Sequence, residues 1–394
     1  MFQIGDSKGE MKVLHVFTLP TTAKSFFDGQ FRYLSEKEGH EVQVVTSRGD
    51  VSEFCVRNKV AFTPIDIARR IDIKADIKSI FELRRLIKEE KYDVVFGHTP
   101  KGALVAMIAS WLCRVPSRVY YRHGLIYTTA RGIKRFIFKT VERCTALLAT
   151  YIINVSPSLS DLAIADRLNG SRKQTVIGQG TCGGIDTKNT FNPELINQDT
   201  VTRLKYEYHI AQRDFVIGFC GRICKDKGIE ELVEGFKLFV KCNPNISAKL
   251  LLVGGYDKRD VLGETVKREI ANNPDIISVG KVIQKDLPLY YTMMDVFVFP
   301  SYREGFGMCV IEASAMEVPI LVSRSHGCIN SIVESKTGEY IDISPKGVCE
   351  GIERLLKDKH RNHYGISGRK WVKENFEQTV MWPQIALLYS ELKK

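Results

Sequence analysis

Apolar runs rich in β-branched residues alternate with segments of helical periodicity along most of this chain. In the first half, the pattern predicts strands at Val13–Phe17, Val42–Thr46, Val94–Phe96, Val119–Tyr121 and Ile152–Val155, and helices at Asp76–Glu90 and Ala103–Cys113. The alternation restarts with strands at Phe215–Cys220, Leu250–Val253 and Asp295–Phe299, and helices at Glu230–Val240 and Asp260–Ala271. Strands that alternate with helices are typical of parallel sheets covered by helices, so the pattern predicts an α/β fold.

The alternation is interrupted once, by a polar segment without periodicity at residues 186–200. A chain of 394 residues is too long for one compact domain. We therefore predict two Rossmann-like, doubly wound domains, residues 1–185 and residues 201–376, joined by a linker at 186–200 and followed by a helix in residues 377–394. Two such domains would face each other across a cleft and bind ligands at the carboxyl ends of their strands.

Net charge is distributed unevenly between the two halves. The chain carries a formal charge of +11, and residues 1–190, with 29 Lys and Arg against 19 Asp and Glu, account for nearly all of it. Such asymmetry predicts that the first half contacts an anionic surface. On charge alone, an acidic membrane and a nucleic acid both remain open, but the chain contains no recognised nucleic-acid motif.

Cysteine usage and the absence of a leader pattern predict a cytoplasmic protein. The ten cysteines lie mostly in apolar runs without a C-x-x-C pair, as is usual for small buried side chains in a reducing compartment. No zinc pattern, H-E-x-x-H or D-x-D occurs, so we expect neither a metal nor a cofactor. The first ten residues lack an apolar signal core, and the longest apolar run, Ala146–Val155, is too short to span a bilayer.

A strand end, a glycine-flanked turn and a helix start follow one another in PSYREGFGMCVIEA, residues 300–313. Gly305 and Gly307 let the backbone approach a ligand closely, and the free N–H groups at the helix start favour a phosphate. Glu304 in the turn and Glu312 inside the helix can each accept hydrogen bonds from a polyol. This layout fits a nucleotide-sugar, in which a diphosphate separates a sugar from a ribose.

A second cluster follows the strand that ends at Cys220, where a glycine turn presents Arg222 and Lys227. Two cations just beyond the carboxyl end of a strand suit a diphosphate leaving group, because arginine offers a fork of donors and lysine a point charge. Alone, this cluster is equally consistent with a solvated basic loop. Taken together with the two glutamates of the first motif, the cluster is better explained as a diphosphate-binding site.

Together these motifs resemble the retaining glycosyltransferases with the GT-B fold, family 4, and especially the subgroup that acts on capsule and O-antigen polysaccharides. Glu304 and Glu312 match the E-x7-E motif of that family, and Gly221, Arg222, Lys227 and Gly228 match its G-R-x-x-x-x-K-G motif. Glu317-Val318 replaces a position where the family often has glycine. The resemblance is strong in the second half and looser in the first.

The resemblance assigns roles to the second half. Arg222 and Lys227 would stabilise the leaving diphosphate, Glu304 would hold the sugar, and Glu312 would hold the ribose. No metal would be required. Further donor contacts are expected from Gly221, Gly305, Phe306, Gly307, Met308, Cys309, Val310 and Ile283. UDP is the commonest donor nucleotide in the family, although nothing in these residues excludes GDP.

In the first half, the resemblance places a histidine near the donor sugar, and His123 follows a predicted strand at the matching position. Asp28 and Gly29 replace the double glycine of many members, so their contacts with phosphate or acceptor stay open. His98 ends another strand, and with Asp28 and Gly29 it is predicted on the acceptor side. The C-terminal helix, about Thr379 to Leu392, would cross back onto the first domain, as in other GT-B proteins.

Residues 129–143 form a basic amphipathic segment, in which phenylalanine and isoleucine mix with Arg131, Lys134, Arg135 and Lys139. A helix of this composition can lie on an anionic bilayer, or it can pack its apolar stripe on the sheet. The positive charge of this half favours contact with the inner face of the membrane, where a polyprenyl-linked acceptor would lie. We therefore predict a peripheral protein that does not bind nucleic acid.

The resulting hypothesis is a retaining glycosyltransferase that moves a sugar from a nucleotide-sugar, with UDP favoured, to a hydroxyl of a lipid-linked glycan. It would transfer a hexose or an N-acetylhexosamine during cell-surface polysaccharide assembly. Two alternatives stay open. One is a UDP-sugar 2-epimerase or a phosphorylase on the same fold, and the other is a non-catalytic protein that binds nucleotide-sugars or nucleic acid.

Overall fold

The computed structural model describes residues 10–70, 72–257, 260–358 and 361–393. The chain divides into two compact units, one reaching to Gly184 and including the C-terminal segment from Gln378, the other formed by Ile185–Glu377. The predicted first domain begins at residue 1, but residues 1–9 lie outside the described residues. The segment 186–200, predicted as a linker, belongs to the second unit.

The first unit contains a seven-stranded parallel sheet with the strand order β3-β2-β1-β4-β5-β6-β7. Its strands are β1 (Lys12–Val16), β2 (Glu41–Thr46), β3 (Ala61–Pro64), β4 (Val94–His98), β5 (Ser117–Arg122), β6 (Tyr151–Asn154) and β7 (Gln174–Val176). Its helices are α1 (Pro20–Phe26), α2 (Gln30–Glu38), α3 (Ser52–Asn58), α4 (Ile73–Glu90), α5 (Pro100–Leu112), α6 (Gly132–Leu148) and α7 (Pro157–Ala165), with short 3-10 helices at Ile126–Thr128 and Ser171–Lys173. Right-handed crossovers place α4 to α6 on one face and the helices that follow β1 and β2 on the other.

The second unit contains a six-stranded parallel sheet with the strand order β10-β9-β8-β11-β12-β13. Its strands are β8 (Phe215–Cys220), β9 (Ala248–Val253), β10 (Ile276–Gly280), β11 (Val296–Phe299), β12 (Ile320–Ser323) and β13 (Glu339–Ile341). Its helices are α8 (Gln198–Glu207), α9 (Ile229–Cys242), α10 (Glu264–Asn272), α11 (Leu287–Thr292), α12 (Met308–Ala315), α13 (Pro345–Lys357) and α14 (Arg361–Asn375), with 3-10 helices at Pro193–Leu195, Lys225–Lys227, Gln284–Asp286 and Cys328–Asn330.

The last helix, α15 (Gln378–Leu392), follows the second unit in sequence but packs within the first. It contacts α2, and its Trp382 donates a hydrogen bond from the indole Nε1 to the carbonyl of Gly183 across 2.9 Å. Met381, Ile385 and Tyr389 are buried on its inner side. The expectation that the C-terminal helix returns to the first domain is confirmed.

The hydrophobic pattern located the central strands well, because both faces of these strands are buried and their sequences are almost wholly apolar. The predicted α/β class with two doubly wound units is confirmed. The prediction was less good at the edges. Short strands such as β3 and β13 were missed, and the helix expected from Asp260 begins only at Glu264. Among the helices of the described residues, none has the length and apolar character needed to cross a bilayer.

Candidate active site

In each sheet, the strand order reverses direction at one point, and ligands of doubly wound folds bind beyond the carboxyl ends of the strands there. In the second unit this point lies between β8 and β11, which pair in parallel. Arg222 and Lys227 follow β8, and Glu304 follows β11. The sheet topology therefore brings together the two motifs that the sequence kept some eighty residues apart.

Lys227 and Glu304 form an ion pair at this edge. The Lys227 ammonium, nearly buried, also donates to the carbonyl oxygen of Arg303 at 3.2 Å. The Glu304 side chain keeps only 17% of its surface exposed. Because both groups are largely removed from water, each needs a partner of opposite charge or a hydrogen-bond partner. A phosphate that bound Lys227 could replace the carboxylate of Glu304, which would then accept hydrogen bonds from other groups.

The backbone geometry behind this ion pair depends on Gly228. This glycine has φ +67°, and a Cβ atom there would lie 2.1 Å from the carbonyl oxygen of Pro300. Asp226, in the 3-10 helix before it, accepts a hydrogen bond from the Arg303 guanidinium at 2.8 Å. The glycine therefore allows the basic turn after β8 to pack directly on the strand end that carries Glu304.

Glu312 lies in the second turn of α12, almost fully buried. The hydroxyl of Tyr291, which comes from α11, donates to Oε2 of Glu312 at 2.8 Å. Burial raises the pKa of Glu312 to about 7, and the Tyr291 hydrogen bond acts in the opposite direction. One oxygen of the Glu312 carboxylate is thus held by the protein. The sequence did not predict Tyr291 as its partner, because no motif near either residue indicates this contact.

The remaining residues predicted to bind the donor differ in what they can offer. The side chains of Phe306 and Val310 are buried in the core, so only their backbone groups can face a ligand. Gly307 has φ +82° and forms the N-terminal cap of α12, before the half-buried Met308 and Cys309. Ile283 is 58% exposed, just after β10.

Arg222 is held by a partner that the sequence did not reveal. Its guanidinium forms an ion pair with Asp257, which follows β9, the neighbour of β8 in the sheet. About half of the Arg222 side chain remains exposed. Asp257 therefore orients the guanidinium at the strand edge while leaving part of its surface accessible to an anion.

In the first unit, the predicted site residue His123 is tied into the protein through both ring nitrogens. Nε2 lies 3.0 Å from Nδ1 of His98, and Nδ1 lies 3.2 Å from Sγ of Cys182. Burial lowers the pKa of His123 to about 3, so the imidazole is neutral at physiological pH. The structure does place His123 just beyond β5, at the carboxyl edge of the sheet.

Two protein-family models match the chain. One is described as Glycosyl transferases group 1 and covers residues 201–371, and the other, Glycosyl transferase 4-like domain, covers residues 31–180. Over 390 residues the chain is 34% identical to the capsular polysaccharide biosynthesis glycosyltransferase CapM of Staphylococcus aureus. The alignment covers 98% of this chain and 99% of that protein. The chain belongs to the glycosyl transferases group 1 family.

Two further comparisons agree with this assignment. This glycosyltransferase is 24% identical over 388 residues to the UDP-Gal:alpha-D-GlcNAc-diphosphoundecaprenol alpha-1,3-galactosyltransferase of Escherichia coli, covering 97% of each protein. The crystal structure of Anabaena Alr3699/HepE in complex with UDP and glucose superposes with a TM-score of 0.77 at 17% identity, covering 96% of this chain and 99% of that one. The likeness confirms the GT-B fold.

The residues predicted on the acceptor side of the glycosyltransferase have mainly structural surroundings. His98 is fully buried, which corrects the expectation that its side chain lines an acceptor surface. The Asp28 carboxylate accepts hydrogen bonds from Arg57 and Asn58 at 2.8 Å each. Gly29 has φ +80°, and a Cβ atom there would lie 2.9 Å from the Trp382 ring of α15. These two residues thus shape the start of α2.

Helix α6 exposes much of its apolar surface. Ile133 and Phe136 are 79% and 71% exposed, so this stripe is not packed on the sheet. Arg131, Lys134 and Arg135 are exposed beside them. Lys139 is different, because its ammonium pairs with Asp166 at 2.6 Å and its side chain is only 23% exposed, which argues against its predicted contact with a membrane.

One cluster of side chains in the described residues could hold a metal ion, and sequence reasoning missed it. The thiols of Cys242 and Cys349 and the carboxylate of Glu353 lie within 4.8 Å of one another on α9 and α13. Neither helix carries a residue predicted to bind the donor. The carboxylate already accepts a hydrogen bond from Asn243 at 3.0 Å.

Proposed function

We propose that this glycosyltransferase moves a sugar from UDP-sugar to a hydroxyl of a lipid-linked saccharide during polysaccharide assembly, with retention of the anomeric configuration. The observation that carries the proposal is the arrangement of Arg222, Lys227 and Glu304 around the point where the order of the second sheet reverses. An anionic diphosphate would meet two cations there, next to a carboxylate that can hold a sugar.

Donor binding would exchange one ion pair for another. Without a ligand, Lys227 is neutralised by Glu304. A diphosphate that approached the Lys227 ammonium would take over this role, and Glu304 would then be free to accept hydrogen bonds from sugar hydroxyls. The same cation, with the guanidinium of Arg222, would stabilise the charge that develops on the departing phosphate, which is often the largest catalytic contribution.

Glu312 would hold the ribose. Its Oε2 already accepts from Tyr291, so Oε1 and the outer lone pairs remain for the two ribose hydroxyls. The carboxylate must be ionised to accept from both. Burial raises the pKa of Glu312 to about 7 by disfavouring the charged form. Hydrogen bonds from the ribose hydroxyls would oppose this shift, because they stabilise the carboxylate.

The choice of UDP and of a lipid-linked acceptor is supported by similar proteins. The Escherichia coli relative is named for transfer from UDP-Gal to a GlcNAc-diphosphoundecaprenol, and the Anabaena structure of the same fold contains UDP. The Staphylococcus aureus relative, similar over the full length, is named for capsular polysaccharide biosynthesis. An undecaprenyl diphosphate saccharide is therefore the first acceptor to test.

A lipid-linked acceptor requires access to the membrane, and the first unit offers a suitable surface. Ile133 and Phe136 of α6 are exposed beside basic residues. Ile73 and Phe81 of α4, on the same face of the sheet, are also exposed, and Ile77 lies between them at helical spacing. Basic amphipathic surfaces of this kind bind anionic bilayers. We propose that α4 and α6 hold the enzyme at the inner face of the membrane.

The test is a transfer assay with purified enzyme, undecaprenyl diphosphate N-acetylglucosamine in detergent, and a panel of UDP- and GDP-sugars. Retention predicts that proton NMR of the product made from an α-linked donor shows an α linkage. The assay is run with and without EDTA, and equal rates are expected because no metal takes part. Conversion of the UDP-sugar without an acceptor would instead support a 2-epimerase, and a β-linked product would contradict retention.

A further inference from the structure

A continuous line of five side chains crosses the first unit from Tyr389 of the C-terminal helix, through three histidines that end with His123, to Cys182. The Tyr389 hydroxyl lies 2.8 Å from Nε2 of His15, and Nδ1 of His15 lies 2.9 Å from Nε2 of His98. His98 and His123 follow at 3.0 Å, and His123 contacts Cys182 Sγ at 3.2 Å. Each ring uses one nitrogen toward each neighbour.

Sheet register explains why the three rings meet. His15 of β1 pairs with Phe96 of β4, so His98, two residues later, is on the same face and one step closer to the carboxyl edge. Likewise His98 pairs with Tyr121 of β5, and His123 comes two residues after it. The three histidines therefore form a diagonal across adjacent strands that ends at the edge where ligands bind.

Each neutral imidazole has one N–H donor and one acceptor nitrogen, so a line of this kind has only two arrangements of its protons. All three rings are neutral, because burial lowers the pKa of His15 and His123 to about 3 and that of His98 well below its usual value. Either Tyr389 donates first and every histidine carries its proton on Nδ1, or Cys182 donates first and every proton lies on Nε2.

The two ends of the line are not equivalent. If Cys182 donated, the buried Tyr389 hydroxyl would accept from His15, and its own proton would find no acceptor among the described residues. A buried hydroxyl that donates to nothing is costly, whereas an S–H group is a weak donor and can remain without an acceptor at little cost. The phenol is therefore the donor that begins the line.

We propose that Tyr389 of α15, acting through His15 and His98, is a positioning residue that holds His123 as the neutral Nδ1–H tautomer with its ring nitrogens fully engaged. His123 then serves the site as an oriented neutral ring and not as a base. The importance of His123 for transfer rests on the proposed function, but the proton arrangement does not.

The experiment is nitrogen NMR of the full chain labelled with ¹⁵N-histidine, with the three signals assigned through single His→Gln variants. We expect Nδ1–H tautomers at all three positions in the wild type. In Tyr389→Phe, Nε2 of His15 has no partner in either arrangement, so the direction of the line is no longer fixed by the phenol. We therefore expect His123 to show an Nε2–H population in which Cys182 donates. Cys182→Ala should leave all three tautomers unchanged.

Tyr92→Phe is the matched control, because Tyr92 is a buried tyrosine of the same unit that donates to Gln43 at 2.6 Å and contacts no histidine of the line. An Nε2–H tautomer at any of the three positions in the wild type would overturn the proposal, even if Tyr389→Phe failed to fold. So would an unchanged His123 in folded Tyr389→Phe. The spectra require no substrate, so failure of the transferase assay would leave this result intact.

Discussion

The Tyr291 hydroxyl donates to a carboxylate oxygen of Glu312 across 2.8 Å, inside the core of the second unit. This contact joins α11 to α12 and leaves the other carboxylate oxygen for a ligand. Because burial raises the pKa of Glu312 to about 7 and the tyrosine opposes that shift, the protonation state of the proposed ribose site depends on pH near neutrality.

UDP affinity is expected to increase with pH. Below a pH of about 7, Glu312 is mainly protonated and accepts the ribose hydroxyls poorly, whereas above it the carboxylate forms charge-assisted hydrogen bonds. Glu312→Gln should bind UDP about 10- to 100-fold more weakly at high pH and lose this dependence, given about 1.5–3 kcal/mol for hydrogen bonds to a charged group. Tyr291→Phe should move the midpoint to higher pH. Isothermal titration from acid to alkaline pH measures both, and a pH-independent wild type would contradict the assignment.

Removing either cation should reduce turnover more than binding. In Arg222→Ala and Lys227→Ala, we expect kcat to fall by about 10²–10³-fold, the usual loss when one group that stabilises developing charge is removed. Arg324→Ala is the matched control, since Arg324 is an exposed arginine of the same unit that pairs with Glu334. Steady-state kinetics with the best donor distinguish the outcomes. Wild-type turnover in both active-site variants would show that the leaving phosphate is stabilised elsewhere.

Membrane binding should depend on exposed apolar residues of α6. Replacing Ile133 and Phe136 together by serine removes side chains worth about 1.5–3 kcal/mol each if buried in the bilayer, so vesicle affinity should fall by at least about 10-fold. The assay is co-sedimentation with vesicles containing anionic lipid, and added salt should weaken binding further. Ile366→Ser, at a residue of the second unit that is 59% exposed, should have no effect. Equal sedimentation of all variants would refute the proposed surface.

The first unit should lose stability in mild acid. Burial lowers the pKa of His15 to about 3, while the unfolded chain titrates near the ordinary value of 6.5. The unfolded state therefore takes up protons first, and the free energy of unfolding should fall as pH drops from about 6.5 towards 3. From pH 7 to pH 5, His15 alone should contribute a loss of about 2 kcal/mol.

Urea denaturation at several pH values measures this loss. His15→Gln keeps a polar side chain but cannot titrate, so its stability should fall less steeply between neutral pH and pH 5 than that of the wild type. His209→Asn, at an exposed position of the second unit, serves as the control and should keep the wild-type slope. Identical slopes for wild type and His15→Gln would show that the buried histidines do not govern acid sensitivity.

Much of the fold and part of the candidate site could be predicted from local sequence. Strands β8 and β11 are continuous apolar runs because both of their faces are buried, and the turn that follows each carries its glycines and charges within a few residues. Glu304 and Glu312 lie in one strand–turn–helix segment, so their spacing is visible without a structure. The match to the family rested on these contiguous motifs and is confirmed.

Contacts between distant segments depended on the tertiary structure. Asp257 reaches Arg222 because β9 and β8 are neighbours, and Tyr291 reaches Glu312 because α11 packs near α12. Nothing near either residue in sequence indicates its partner. The roles assigned to Arg222, Lys227, Glu304 and Glu312 stay predictions, although the structure groups Arg222, Lys227 and Glu304 at one edge of the second sheet.

By itself, the sequence determined the alternation of strands and helices, the family, and the close spacing of Glu304 and Glu312, because each is encoded by periodicity or by residues close together in the chain. Only the tertiary structure decided that α15 packs in the first unit and that Tyr389 lies beside His15, 374 residues away. Strand order and register bring such groups together, and these arise from the packing of the whole sheet and not from any local pattern.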